Sequence, residues 1–252
     1  GANARPFTTH HNTLNTKLFM RIADELYLKR LIVGGFEGVY EIAKVFRNEG
    51  IDRFHNPEFT MMELYVAYKN YTFMMELMEN MIAKIAQDVN GTTEVTVNGQ
   101  KIDLSPPWER ITMYDAVKRY TGYDVSNADI KKLKKIAKEL DMESESFWGP
   151  GKYIEEIFGT YVENKITRPT YIINYPGETS PLAKKSFSDG SIVERFEAIV
   201  GGVELINGYS ELNDPQEQEQ RFLDQMDRRK EGDVDAQVID EDYIMALEYG
   251  MP

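Results

Sequence analysis

The sequence predicts an α+β fold, an antiparallel β-sheet flanked by helices with a mostly helical insertion in the middle of the chain. Three observations predict it. Side-chain character alternates along 38–48 as in a half-buried strand, a second strand follows a polar loop and ends near Tyr65, and 170–175, 192–200 and 203–209 read as further strands bounded by proline and glycine. The connections joining these strands in pairs are short, which favours antiparallel neighbours. Between 73 and 165 the apolar residues recur at helical spacing instead.

In order, Lys17 to Ile22 alternates as a short strand, and Asp24 to Ile32 reads as a helix stopped by Gly34 and Gly35. Gly38 to Asn48 is a strand, followed after a polar loop by a second strand carrying Phe59, Glu63 and Tyr65. The helix Phe73 to Val89 places Met74, Leu77, Met78, Met81 and Ile85 on one stripe, which predicts core packing. Val95 to Ile102 is a hairpin turning at Asn98-Gly99. Helices follow at Met113 to Tyr120, Asn127 to Leu140 and Lys152 to Lys165, the lysines of the second reading as a solvated face. Thr170 to Tyr175 is a β-branched and aromatic strand ended by Pro176, and Ile192 to Val200 and Val203 to Tyr209 form a hairpin across Gly201-Gly202. Asp214 and Pro215 start a helix running to Arg228, and a last helix, Asp240 to Tyr249, is closed by Gly250 and Pro252. The organisation expected is a core over 1–69, an insertion with a small hairpin over 70–169, and the rest of the core over 170–252.

Composition removes whole classes. No apolar run approaches the ~20 residues of a membrane span, and the first residues contain no apolar signal region, so a cytoplasmic protein without membrane contact is expected. The absence of cysteine excludes disulfides and thiolate metal sites. With 42 acidic against 29 basic residues the net charge is −13, which repels a polyanion over most of the surface and locally favours a cationic small substrate. Gly34-Gly35-Phe36-Glu37-Gly38 precedes a strand rather than a helix, so it is neither a dinucleotide fingerprint nor a phosphate loop. There is no Gly-x-Ser-x-Gly and no His-Glu-x-x-His, and His10, His11 and His55 are poorly spaced for a metal.

Chemistry is concentrated on two strand pairs. Val45, Arg47 and Glu49 share one face of the first strand, and Phe59, Glu63 and Tyr65 share one face of the second. If these are the same face, a cation, carboxylates and aromatic plates converge in a set suited to a nucleotide and an amino acid. Glu197 and Glu204 lie on the later hairpin, where two carboxylates can hold Mg²⁺, or else lie on a solvent face or pair with Arg195 and Arg47. Asn207, Tyr209 and Glu211 share a face, but Glu204 has the opposite parity, so a common site requires a bulge or a strand end near Gly208.

The run Phe46-Arg47-Asn48-Glu49, a loop, then His55-Asn56-Pro57-Glu58-Phe59-Thr60-Met61-Met62-Glu63-Leu64-Tyr65 resembles motif 2 of class II aminoacyl-tRNA synthetases in its lysyl form. Similar strings occur along the whole chain, at Gly1 to Asn12, Glu25 to Arg30, Ser180 to Ala183, Arg195 to Glu197 and Glu204 to Asp214. The resemblance implies the antiparallel class II sheet and gives the residues roles. Arg47 would be the catalytic cation, bridging the α-phosphate of ATP and the carboxylate of lysine. Glu49 would read the adenine amino group, Phe59 would stack on the ring, and His55 and Asn56 would lie near the phosphates. Glu197 and Glu204 would hold Mg²⁺ against ATP. Glu211 and Tyr65 would receive the substrate ε-ammonium with Asn207 beside them, and Gly1, Glu25 and Glu63 would line the α-amino end.

The implied reaction is activation of L-lysine by ATP to lysyl-adenylate and transfer to the 3′ end of tRNA(Lys), by an enzyme that is a homodimer when intact. No general base is required, because the lysine carboxylate is already ionised at neutral pH. By the same resemblance, most of motif 1, an N-terminal anticodon-binding barrel and motif 3 would lie outside these residues, and adenylation by this segment alone would be severely impaired. Two alternatives are a paralogue that attaches lysine to a protein such as an elongation factor, and a non-catalytic lysine- or ATP-binding relative. An aspartyl or asparaginyl enzyme fits less well, since an acidic Glu211 pocket is wrong for an anionic side chain.

Overall fold

The computed structural model describes residues 4–97, 99–231 and 239–252. They divide into two compact units, Gly1–Tyr68 together with Asn213–Pro252, and Lys69–Leu212. The first unit opens with β1 (Thr8–His11) paired antiparallel to β2 (Thr16–Phe19), both exposed along their length. Helix α1 (Glu25–Val33) follows and stops at Gly34-Gly35, where Gly35 adopts a φ of 100°. Then β3 (Gly38–Phe46) and β4 (Glu58–Val66) form a two-stranded antiparallel ladder.

In the second unit, α2 (Tyr71–Asn90) is capped by the Asn70 side chain, which accepts from the Phe73 N–H at 3.2 Å. The hairpin β5 (Glu94–Val97) and β6 (Gln100–Asp103) follows. Next come β7 (Glu109–Thr112), α3 (Met113–Thr121), α4 (Ile130–Glu139), α5 (Pro150–Tyr161), β8 (Thr170–Pro176), β9 (Ile192–Val200) and β10 (Val203–Tyr209). The chain ends in the first unit with α6 (Pro215–Glu231) and α7 (Glu241–Tyr249), the latter capped by Asp240 accepting from the Tyr243 N–H at 2.9 Å.

The sheet of the second unit has the order β10-β9-β8-β7, antiparallel except for the parallel pair β7 and β8. That parallel pair explains the helical stretch before it. Two parallel neighbours need a long crossover, and α3, α4 and α5 supply it. Both faces of the sheet are covered. Ile111, Ile172, Val193 and Ile199 join the crossover helices in one core, while Tyr171, Phe196 and Ala198 join Trp108 and Met75 in another. Trp108 stacks on Tyr171 at 5.3 Å between ring centroids, and Phe196 meets Tyr171 edge-on at the same separation.

Two local expectations are corrected. The Met-rich helix buries Met75, Met78, Glu79, Ala83 and Ala86, a stripe rotated from the expected one, and Ile85 is exposed. Its physical reason is Glu79, which accepts from Arg110 at 2.9 Å and from the Trp108 N–H at 2.9 Å, so this carboxylate belongs inside. The early strand is Thr16–Phe19 rather than Lys17 to Ile22, and neither β1 nor β7 was anticipated. Asn98 at the expected hairpin turn lies outside the described residues, and Gly99 beside it takes a φ of 79°.

Candidate functional site

In the first unit the β3–β4 register places Val45 opposite Phe59, Ala43 opposite Met61, Glu41 opposite Glu63 and Val39 opposite Tyr65. The two chemistry-bearing faces are therefore one face. Val45 and Ala43 are buried on it, whereas Tyr40, Ile42 and Met62 of the opposite face are exposed. Arg47 extends the pairing beyond Phe46, its N–H donating to the Pro57 carbonyl at 2.8 Å. Its Nε donates to the Ile22 carbonyl at 3.3 Å and its guanidinium lies 5.2 Å from the Phe59 ring centroid. The polar loop between the strands is organised by Asp52, which accepts from the N–H groups of Phe54 and His55 and sits 2.8 Å from the His55 ring. Those contacts, the Phe54 N–H foremost, hold the Asp52 carboxyl below its usual range. Glu49, His55 and Asn56 are all exposed on this loop.

Further along the ladder, Glu63 accepts from the Asp24 N–H at 3.2 Å and from the Tyr65 hydroxyl at 3.0 Å. The first contact sets a carboxylate at the start of α1, where the helix end favours negative charge. Burial, reinforced by the field of Glu25, pushes the Glu63 carboxyl up. Glu25 itself is buried and accepts from the fully buried Lys29 ammonium at 2.7 Å. Gly1 lies outside the described residues.

The raised Glu63 gives a prediction. The folded protein holds this proton to higher pH than the unfolded chain does. Stability from this group is thus greatest at low pH and falls as pH rises through the window above the ordinary carboxylate range. Glu63→Gln keeps an acceptor for the Asp24 N–H and removes the buried charge. Its melting temperature at pH 8 is expected to equal or exceed that of the parent; a drop of several degrees would contradict this reading.

In the second unit, β10 pairs with β9 so that Asn207 faces Glu197 and Glu204 faces Ile199, with a register shift between Glu204 and Ile206. The bulge required by parity is present, and Glu197, Glu204 and Asn207 share a face. Asn207 donates to Glu197 at 3.2 Å. Arg195 donates to Glu197 at 2.5 Å and to the Ser180 hydroxyl at 2.9 Å, lies over the Tyr175 ring at 4.4 Å, and approaches Glu155 of α5 to 3.6 Å. Glu155 accepts from the Thr179 hydroxyl at 2.5 Å. Glu204 is exposed as a residue, yet partial loss of water around its carboxyl, reinforced by the field of Glu197, pushes it up. Glu211 lies where the chain pairs back on Ala183, with the Leu212 N–H donating to the Leu182 carbonyl at 3.1 Å.

These donors fit a hard divalent cation. Glu197 and Glu204 offer oxygen ligands whose mutual repulsion a cation would relieve. Among the described residues no group of three or more His, Asp or Glu is arranged to hold a metal.

Sequence reading missed Lys29, Asp24 and Glu155, and named Arg195 only as a competing partner. The signal for Lys29 was its spacing, four residues after Glu25 and three before Ile32, which sets a charged pair on the apolar face of α1.

Among the described residues no helix is long and apolar enough to cross a membrane. The chain is 52% identical over all 252 residues to proteins named lysine--tRNA ligase from Christiangramia forsetii and Porphyromonas gingivalis, and it spans 44% of the length of each. The family model of class II tRNA synthetases (D, K and N) matches residues 1–252. With that match running over the whole of the sequence, the chain belongs to the class II tRNA synthetase family.

Proposed function

We propose that this chain is part of the catalytic module of a lysine--tRNA ligase, which activates L-lysine with ATP and Mg²⁺ and transfers it to tRNA(Lys). The observation that carries this reading is the single ladder face on which Arg47 with Phe59 and Glu63 with Tyr65 follow one another along β4. A planar cation beside an aromatic plate suits an α-phosphate and a base, and a carboxylate with a hydroxyl suits an ammonium. The 52% identity to the two ligases supports lysine as the amino acid.

In this reading Arg47 holds the lysine carboxylate in line with the α-phosphorus. The carboxylate oxygen forms the new P–O bond as the bond to pyrophosphate breaks, and charge gathers on the phosphate oxygens that Arg47 faces. Glu197 and Glu204 would hold Mg²⁺, which would supply charge neutralisation at the phosphates. Phe59 and Glu49 serve the adenine, His55 and Asn56 the phosphates, Gly1, Glu25 and Glu63 the α-amino end, and Tyr65, Asn207 and Glu211 the ε-ammonium. The region 70–169 acts as an insertion between two parts of the core, 1–69 and 170–252. The intact protein is proposed to be a cytoplasmic homodimer.

The test is amino-acid-dependent exchange of pyrophosphate into ATP by the full-length protein carrying this segment. Lysine is expected to support exchange while aspartate and asparagine do not. Glu211→Gln is expected to raise the lysine KM by about 100-fold, with the ATP KM changing less than about twofold, because one charge-assisted contact is lost at the side-chain end alone. Equal stimulation by aspartate would overturn the assignment.

A further inference from the structure

The first unit contains a charge arrangement that the lysine contacts do not explain. Three carboxylates, Asp24, Glu25 and Glu63, lie together where α1 begins against β4. Asp24 pairs with Arg21 at 2.9 Å and Glu25 pairs with Lys29 at 2.7 Å. Glu63 has the Asp24 N–H and the Tyr65 hydroxyl, both neutral donors. Lys29 has a relative exposure of 0% and its ammonium stands 5.8 Å from the Tyr65 ring centroid and 6.0 Å from that of Tyr243 on α7. Its neighbour Arg30 donates to Asp240, the cap of α7, at 2.7 Å. A lysine is rarely buried completely unless its charge is answered, and the Glu25 carboxylate and the faces of Tyr65 and Tyr243 contribute to answering it.

We infer that Lys29 is a positioning residue for the amino-acid site: its ammonium fixes the Glu25 carboxylate, braces Tyr65 from behind, and leaves Glu63 as the carboxylate that answers the incoming ammonium. The inference rests on the proposal that Glu25 and Glu63 line the α-amino end of a bound lysine. Its content is that the protein supplies its own internal cation to the acidic set. One carboxylate is thereby held oriented, so that a substrate bringing one α-ammonium meets a fixed charge deficit instead of a cluster of mutually repelling acids. The aromatic bracket places the same ammonium against α7, so one side chain contributes both to the packing of that helix and to the orientation of Glu25.

The test uses the full-length protein, with pyrophosphate exchange rates normalised to active sites. Lys29→Met keeps the apolar stem and removes the charge. It is expected to raise the lysine KM about tenfold or more while the ATP KM stays within about twofold. A merely structural lysine would lower the active fraction and leave both KM values alone, which would overturn the inference. Should Lys29→Met fold poorly, the double variant Lys29→Met, Glu25→Gln removes both buried charges and is compared with Glu25→Gln. Equal lysine KM values in these two support an action through Glu25; a further tenfold rise in the double variant shows that Lys29 acts elsewhere and overturns it. If the parent protein exchanges pyrophosphate without dependence on lysine, the functional assignment fails. If the parent is lysine-dependent and Lys29→Met matches it, the inference about Lys29 fails alone.

Discussion

Arg47→Ala is expected to slow adenylate formation by about a thousandfold, roughly 4 kcal/mol of transition-state stabilisation, with the larger part in kcat. The magnitude follows from how firmly the side chain is prepared. Its backbone is paired to Pro57, its Nε to the Ile22 carbonyl, and its guanidinium lies over the Phe59 ring, so three contacts aim it before any substrate arrives. A cation already oriented loses little freedom when charge develops on the phosphate, and that is where electrostatic catalysis gains most. Arg47→Lys keeps the charge but loses the planar fork, and an intermediate loss of about ten- to a hundredfold is expected. Pyrophosphate exchange by the full-length protein measures both. An Arg47→Ala rate within tenfold of the parent would remove Arg47 from the chemistry.

The second large effect is on stability. Arg195→Met is expected to cost about 3–5 kcal/mol, because removing one partner of a buried ion pair leaves the other uncompensated. Arg195 serves Glu197 and Glu155 together, and burial already pushes the Glu155 carboxyl up even with the arginine present. Its side chain is 16% exposed and that of Glu197 11%, so little water is at hand to replace the guanidinium. Both tryptophans of the chain, Trp108 and Trp148, belong to the second unit, so urea unfolding followed by tryptophan fluorescence reads the unit that holds this network. Adding Glu155→Gln should recover about 1–2 kcal/mol, since it removes one of the orphaned charges. An Arg195→Met loss below about 1 kcal/mol would mean that these carboxylates find other counter-charges.

The limits of β9 and β10 match the sequence expectation residue for residue, and those of β3 match closely, because turn and loop residues punctuate their ends. Choosing the functional face was harder. Tyr40, Ile42 and Met62 make the opposite face of the β3–β4 ladder as apolar as the face bearing Val45 and Phe59, so hydrophobicity alone does not choose; Arg47 and Glu63 do. β7 was hidden because it has four residues and gains its partner, β8, only across the whole helical crossover. Lys29, Glu79 and Glu155 were hidden for a different reason. A lone charged residue in a helix reads as surface, and its burial is decided by a partner: nearby for Lys29, distant for Glu79 and Glu155.

The extra residue at Leu205 works as a parity switch in the chain. Before it, even-numbered positions of β10 turn toward Glu197; after it, odd-numbered ones do. Deleting that one residue would shift no hydrogen-bonding group by more than a strand step, yet it would exchange the faces of everything between the bulge and the end of the strand. Asn207 and Tyr209 would move together to the side that packs on Trp108 and Met75, and Glu211 beyond them would be drawn out of place. In this strand, the chain can lose a methyl group more easily than it can lose count.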